Sequence, residues 1–93
     1  MNKKVPYSLG FKEGVEKTFE KIAKKDRLQE EAIKKKINAI LEDPYQFKPL
    51  RAPFAGMRRV HVMKSFVLIY SIDKANKMVV IERYKHHDDA YLH

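Results

Sequence analysis

The sequence predicts an α+β fold: an N-terminal helical hairpin packed on one face of a 3–4-stranded, mainly antiparallel sheet. Three observations carry this expectation. Two stretches in the first half repeat their apolar residues at helical spacing. The second half holds strand-length apolar segments separated by short polar turns. The run Phe66-Val67-Leu68-Ile69-Tyr70-Ser71-Ile72 is apolar at both parities, with Phe66, Leu68, Tyr70 and Ile72 on one side and Val67 and Ile69 on the other. A strand half exposed to water alternates, whereas one covered on both faces reads as a continuous apolar run. This run is the expected central strand.

Val5 to Leu9 has Val, Tyr and Leu at alternate positions and reads as a short first strand. Pro6 cannot donate to a ladder, which confines it to an edge or a strand start. Ser8 is a candidate cap for the helix that follows. From Phe11 to Lys25, Phe11, Val15, Phe19 and Ile22 form one apolar stripe, with charged residues on the other faces. Asp26 is the expected cap of a second helix, with Gln29 at capping-box spacing. Its apolar positions are Leu28, Ala32, Ile33, Ile37, Ile40 and Leu41, and Pro44 ends it near Glu42-Asp43. The very short turn at Lys25-Asp26 makes the two helices an antiparallel hairpin.

Pro44 to Gly56 holds Pro44, Pro49 and Pro53 and has no period, so it reads as a loop long enough to be functional. Val60 and Val62 alternate with Arg59, His61 and Met63 as a strand with one face in the core. Lys64-Ser65 reverses the chain into the central strand. Asp73 to Lys77 turns again, and Met78 to Tyr84 is the last strand. Three strands in sequence with short turns make a meander. Lys85 to His93 reads as a polar tail. The helices cover one sheet face, and the other is left open with Val67 and Ile69 on it, which points to a partner.

The 93 residues make one domain, 1–93, with a single modest core. The absence of cysteine excludes disulfides and thiolate metal sites and suits a reducing cytoplasm. No apolar run reaches membrane-spanning length, and the N-terminus lacks an apolar signal core. Twenty Lys and Arg against twelve Asp and Glu give a formal charge of +8 and a pI near 9.7. Such an excess points to a nucleic acid or an acidic protein as partner.

Several residues carry candidate chemistry. His86-His87 titrate near neutrality and are candidate acid or base groups, with Asp88 and Asp89 beside them. The plain alternative is an exposed polar tail. A zinc site needs three or four ligands held tetrahedrally, and adjacent histidines of an extended chain point opposite ways, so no metal is expected. Arg59 and His61 share a strand face and could present cations to a phosphate; otherwise that face is simply solvated. Tyr70, Tyr84 and Tyr91 are candidates to stack on bases, with a core position the stronger reading for Tyr70 than for Tyr91, which lies in a polar segment. Lys48, Arg51, Arg58 and Arg83 are candidate RNA contacts. Gly-rich phosphate loops, HExxH, a serine elbow and a cysteine nucleophile are all missing.

Taken in order, these segments resemble the RelE/ParE toxin superfamily. The resemblance runs from Phe19-Glu20-Lys21 in the first helix through Pro49-Leu50 to the loop ending at Gly56. It continues through Arg59-Val60-His61-Val62, Phe66 to Ile72, and Val79 to Tyr91, and so spans nearly the whole chain. It implies a RelE-like fold and the toxin of a type II toxin–antitoxin pair. In one branch such a toxin is a metal-independent, ribosome-dependent endoribonuclease (mRNA interferase), with no cofactor. Its partners are a cognate antitoxin, the ribosome and mRNA. The other branch, ParE-like, acts by binding gyrase or another protein. A third possibility, outside the resemblance, is a basic RNA-binding accessory protein without toxicity.

Carried over residue by residue, the resemblance puts Arg59, His61, Lys85, His86, His87 and Tyr91 at catalytic positions. Arg59 and His61 fall where the family has basic residues on the second strand. His87 lies four before Tyr91, a spacing that some members use for a catalytic histidine and an aromatic. Lys85 falls near a basic position of the terminal strand. The nuclease branch has an arginine three residues before the tyrosine matching Tyr70; Val67 stands there, with Arg58 or Arg83 as candidate replacements.

Overall fold

A computed structural model describes residues 6–90. The chain folds as β1 (Ser8–Phe11), α1 (Val15–Lys25), α2 (Arg27–Glu42), β2 (Lys48–Pro49), β3 (Met57–Val62), β4 (Phe66–Asp73) and β5 (Met78–His86). The strands form one sheet in the order β1-β5-β4-β3-β2. β1 runs parallel to β5, and the other pairs are antiparallel.

This corrects the predicted fold class. The sheet has five strands and is mixed, and the helical hairpin follows β1 instead of opening the fold. Two local features hid this. Phe11 lies on the helical period of Val15 and Phe19, yet it is a strand residue paired with Ile81. α1 starts only at Val15, after Gly14 turns the chain at φ 91°, a left-handed conformation that costs glycine little. Ser8 therefore caps nothing; its N–H donates to the Lys77 carbonyl at 2.9 Å. Val5 lies outside the described residues. β2 is two residues long and sits among the prolines, pairing Lys48 with Arg59 and Pro49 with Arg58.

The helices pack as their stripes dictate. Ile33, Ile37 and Ile40 of α2 are buried against Val60, Val62, Leu68, Tyr70, Val79, Ile81 and Tyr84. α1 contributes half-buried Val15, Phe19 and Ile22. Phe19 meets Phe11 and Tyr84 edge-on, at centroid distances of 5.7 and 5.2 Å. Leu28, expected on the apolar face, is 73% exposed, and Gln29 takes the inward position. Asp26 caps α2 as expected: Oδ1 accepts from the Gln29 N–H at 3.0 Å, and Oδ2 accepts from Gln29 Nε2 at 3.1 Å. Gln29 Oε1 then accepts from the Tyr84 hydroxyl at 2.6 Å. A cap, a helix and the last strand thus share one buried polar chain. Tyr70, also in the core, donates to the Pro44 carbonyl at 2.6 Å.

The second sheet face is not open. Val67 and Ile69 are fully buried, in one cluster with Ala90 and flanked by Leu50 and Met57. The loop before β3 covers one side. The last turn covers the other: the His87 N–H donates to the Ser65 carbonyl at 2.6 Å, and Arg83 Nη1 donates to the Ala90 carbonyl at 3.1 Å. Residues 87–90 are therefore a folded cover, where the sequence reads as a polar tail from Lys85 onward.

Gln29→Leu should destabilise the protein by about 1–3 kcal/mol in urea unfolding, because it leaves the buried Tyr84 hydroxyl unpaired. Adding Tyr84→Phe removes that orphan, so the double variant should lose less than the sum of the two single changes.

Candidate functional site

The geometry of the second face depends on one irregularity in β5. Ile69 of β4 pairs with Arg83, while Tyr70 pairs with Ile81, so Glu82 is an extra residue in β5. Such a bulge shifts the alternation of side chains by one. Before it, Val79 and Ile81 point to the helices. After it, Tyr84 does. Arg83 and Lys85 therefore share the opposite face with Ile69 and Val67, their partners in register.

The same face receives alternate residues of β3. His61 pairs with Val67, and Arg59 pairs with Ile69. Two rows result: His61–Val67–Lys85 and Arg59–Ile69–Arg83. The first sets an imidazole and an ammonium on either side of a buried aliphatic residue, and the second sets two guanidinium groups there. Strands lie about 4.8 Å apart, so the flanking residues of a row are about 10 Å apart at the backbone. His87 comes from the covering turn and stacks on His61, with ring centroids 6.3 Å apart and planes 28° from parallel. Four of the expected site residues, Arg59, His61, Lys85 and His87, thus gather on one face.

The other expected residues are placed elsewhere. His86 is on the helix side of β5, with its ring edge-on to Phe66 at 5.8 Å. Its Nδ1 accepts from the Asp88 N–H at 3.2 Å. Arg58 also points away from His61. Its Nη1 donates to the Phe47 and Tyr45 carbonyls at 2.7 and 3.0 Å, and the guanidinium lies 5.3 Å over the Tyr45 ring. Arg83 is on the site face, where it holds Ala90 and lies 5.4 Å over the Phe54 ring. Lys48 and Arg51 are exposed on β2 and the loop after it. Tyr91 lies outside the described residues. Tyr70 and Tyr84 are both core residues, so neither faces solvent as a stacking platform. Among the described residues, no three His, Asp or Glu side chains come together as a metal ligand set.

Two site contributors escaped the sequence. Glu82 is exceptional only through the bulge, which no residue pattern announces. Lys36 lies on the polar side of α2 but reaches the field of His61. The His61 imidazole is held below its ordinary value of 6.5, first by partial desolvation and then by the positive charges of Arg59, His87 and Lys36. It is consequently neutral near pH 7 and able to accept a proton. The arrangement offers a neutral imidazole, a second imidazole stacked on it, and a guanidinium and an ammonium nearby. Such a set can accept and donate protons beside an anionic centre.

The pH dependence follows from the direction of that shift. A base with a depressed folded pKa binds protons more readily in the unfolded chain, so folding stability falls as the pH drops below 6.5 toward the folded value. His61→Asn should remove that part of the loss in urea midpoints measured above and below 6.5. The NMR titration of His61 should have its midpoint under 6.5 and move up in Lys36→Gln; a midpoint at or above 6.5 would contradict the electrostatic account.

Comparison with known proteins adds an independent line. A family model described as the ParE toxin of type II toxin–antitoxin systems, parDE, matches residues 5–91. An uncharacterized protein of Methanosarcina mazei is 44% identical over 85 residues, which cover 91% of this chain and 99% of that one. A candidate toxin of Methanocaldococcus jannaschii, RelE4, is 36% identical over 85 residues, covering 91% of this chain and 90% of that one. Among solved structures, a chain of the RelBE2 toxin–antitoxin complex of Mycobacterium tuberculosis superposes with a TM-score of 0.72 at 27% identity, covering 96% of this chain and all (100%) of that one. The YoeB/ParE toxin of Agrobacterium tumefaciens superposes with a TM-score of 0.78 at 15% identity, covering 86% of this chain and 98% of that one, a likeness of fold.

Proposed function

The chain belongs to the ParE toxin family of type II toxin–antitoxin systems, within the RelE/ParE superfamily, and from that premise we propose that it is a metal-independent endoribonuclease that cleaves mRNA on the ribosome. The observation that supports this reading best is the gathering of Arg59, His61, Lys85 and His87 on one sheet face. A protein that acts only by binding does not need two stacked imidazoles of which one is held neutral.

The chemistry follows from where charge moves. His61, neutral near pH 7, takes the proton of a ribose 2′-hydroxyl as that oxygen attacks the neighbouring phosphorus. Arg59 and Lys85 stabilise the charge that builds on the phosphoryl oxygens. His87 gives a proton to the departing 5′-oxygen. The products are a 2′,3′-cyclic phosphate and a free 5′-hydroxyl, and no metal or cofactor enters. Tyr91 follows as an orienting or stacking group. Lys48 and Arg51 extend the basic surface toward ribosomal RNA. A cognate antitoxin silences the toxin in the cell, in keeping with the toxin–antitoxin complex of the Mycobacterium tuberculosis relative.

A second reading has an observation of its own. Val67 stands at the centre of the first row and is fully buried beneath Ala90. The cation that the nuclease branch carries there is missing. A ParE-like toxin that acts by contact with gyrase or another protein would not need it.

Purified protein added to translating ribosomes should cut mRNA in the A site. His87→Ala and His61→Ala should each reduce the rate by about 10²–10⁴-fold, the range of general acid–base catalysis. Arg59→Ala and Lys85→Ala should also slow cleavage, while His86→Ala should leave it near wild type. An uncut message, with growth still arrested on expression, would overturn the nuclease and favour the protein target.

A further inference from the structure

Beside the cationic rows lies a cavity of about 290 Å³ that the cleavage chemistry does not use. Phe54, Met57, Ile69 and Arg83 line it. Lys12, Glu82 and the exposed Glu13 complete the lining. Its volume is at the small end for ligand sites, with room for one flat group. The Arg83 guanidinium over the Phe54 ring gives a planar, cationic wall of the kind on which unstacked RNA bases rest.

Glu82 is the unexpected member. Its side chain is 14% exposed, on the sheet face that also carries Arg59, Arg83 and Lys85. A carboxylate repels phosphate, so a face meant for phosphate alone gains nothing from it. One oxygen, Oε2, accepts from the Ser71 hydroxyl at 2.5 Å. The other, Oε1, lies 3.8 Å from Lys12 Nζ, a loose contact because Lys12 is 63% exposed. Each carboxylate oxygen has two lone pairs, so acceptor capacity remains on both. Side by side, then, are a carboxylate that accepts and an ammonium that donates.

That pair matches one base better than the rest. Guanine presents two N–H donors, N1–H and N2–H, next to an O6 acceptor. Uracil has a single N–H between two carbonyls. Adenine and cytosine have an amino donor next to a ring acceptor, so a carboxylate reaches one donor there and faces a lone pair beyond it. Guanine alone gives Glu82 two donors while turning an acceptor to Lys12.

The position suits a nucleotide next to the cleaved bond. Arg83 and Lys85 are two residues apart on the same face of β5, about 7 Å along the strand. That is roughly one extended nucleotide from the cavity to the row of His61 and Lys85.

We propose that this cavity, with Glu82 and Lys12 reading the base edge and Phe54 with Arg83 stacking on it, is a guanine-binding subsite for the nucleotide adjoining the scissile phosphate. It rests on the ribonuclease reading for its purpose. Its test measures binding alone, so the two stand or fall separately.

Amide and side-chain NMR shifts are followed while GMP, AMP, CMP and UMP are titrated separately into the full chain. GMP should perturb Lys12, Phe54, Ile69 and Arg83 at concentrations about tenfold or more below the other three nucleotides, as a bidentate base contact does. Glu82→Gln keeps the size of the side chain and the partner for Ser71 but replaces one acceptor with a donor. It should bring GMP down to the level of AMP. Lys12→Ala, a change at an exposed side chain, should weaken GMP without altering the fold. Equal shifts with all four nucleotides, shifts confined to the histidines, or a GMP preference that survives Glu82→Gln would overturn the subsite. If cleavage on ribosomes fails while GMP still binds selectively, the subsite stands and the nuclease falls.

Discussion

One extra residue in one strand decides what this sheet can do. Without Glu82 as a bulge, β5 would keep a single alternation, and Arg83 and Lys85 would follow Val79 and Ile81 toward the helices. Two long cations would then sit in the core beneath α1 and α2, where burial without partners costs several kcal/mol each. With the bulge, the apolar half of β5 meets the helices and its basic half meets the opposite face. The phase shift is held by contacts from both sides: Glu82 with Ser71 and Lys12, and Arg83 with Ala90 and Phe54. Bulges are common near active sites for this reason, since they re-aim side chains without ending the strand.

The helix side supplies the rigidity this needs. β5 is the strand that touches β1, β4 and α1, and Tyr84 fixes it to α2 through Gln29 and Asp26. A buried polar chain of this kind tolerates little slippage, because moving Tyr84 by one residue would orphan two groups at once. The second face is covered by small pieces, Leu50, Met57 and Ala90, instead of a layer of helices. Val67 and Ile69 are thereby kept dry while the cations beside them remain at the rim. That setting holds His61 neutral next to Arg59 and Lys36.

Much of this was legible in the sequence, and the omissions have physical causes. Helical spacing marked α2, and Asp26 with Gln29 marked its start. The doubly apolar run marked β4 as a strand buried on both faces. The strand class failed at short range. Phe11 belongs to a helical stripe and to a strand at once, and only its partner Ile81 decides between them. β2 is too short to have a period. The covering turn escaped because its one buried residue, Ala90, is small and surrounded by polar neighbours. Of the site, Arg59 and His61 were placed together correctly by the period of two. His86 and His87 were indistinguishable until the bulge fixed the phase of β5, and Arg58 showed no sign of its commitment to the loop carbonyls.

The central claim is that one face, and not the other, meets RNA. It is tested most directly by mapping NMR shifts when a trinucleotide blocked by 2′-O-methyl groups is added, so that no bond is cut. The account predicts that Arg59, His61, Lys85 and His87 respond together while Arg58 and His86 stay unchanged. Shifts centred on Arg58, His86 or the exposed sides of α1 and α2 would contradict it and would move the RNA, and the chemistry with it, to the other side of the sheet.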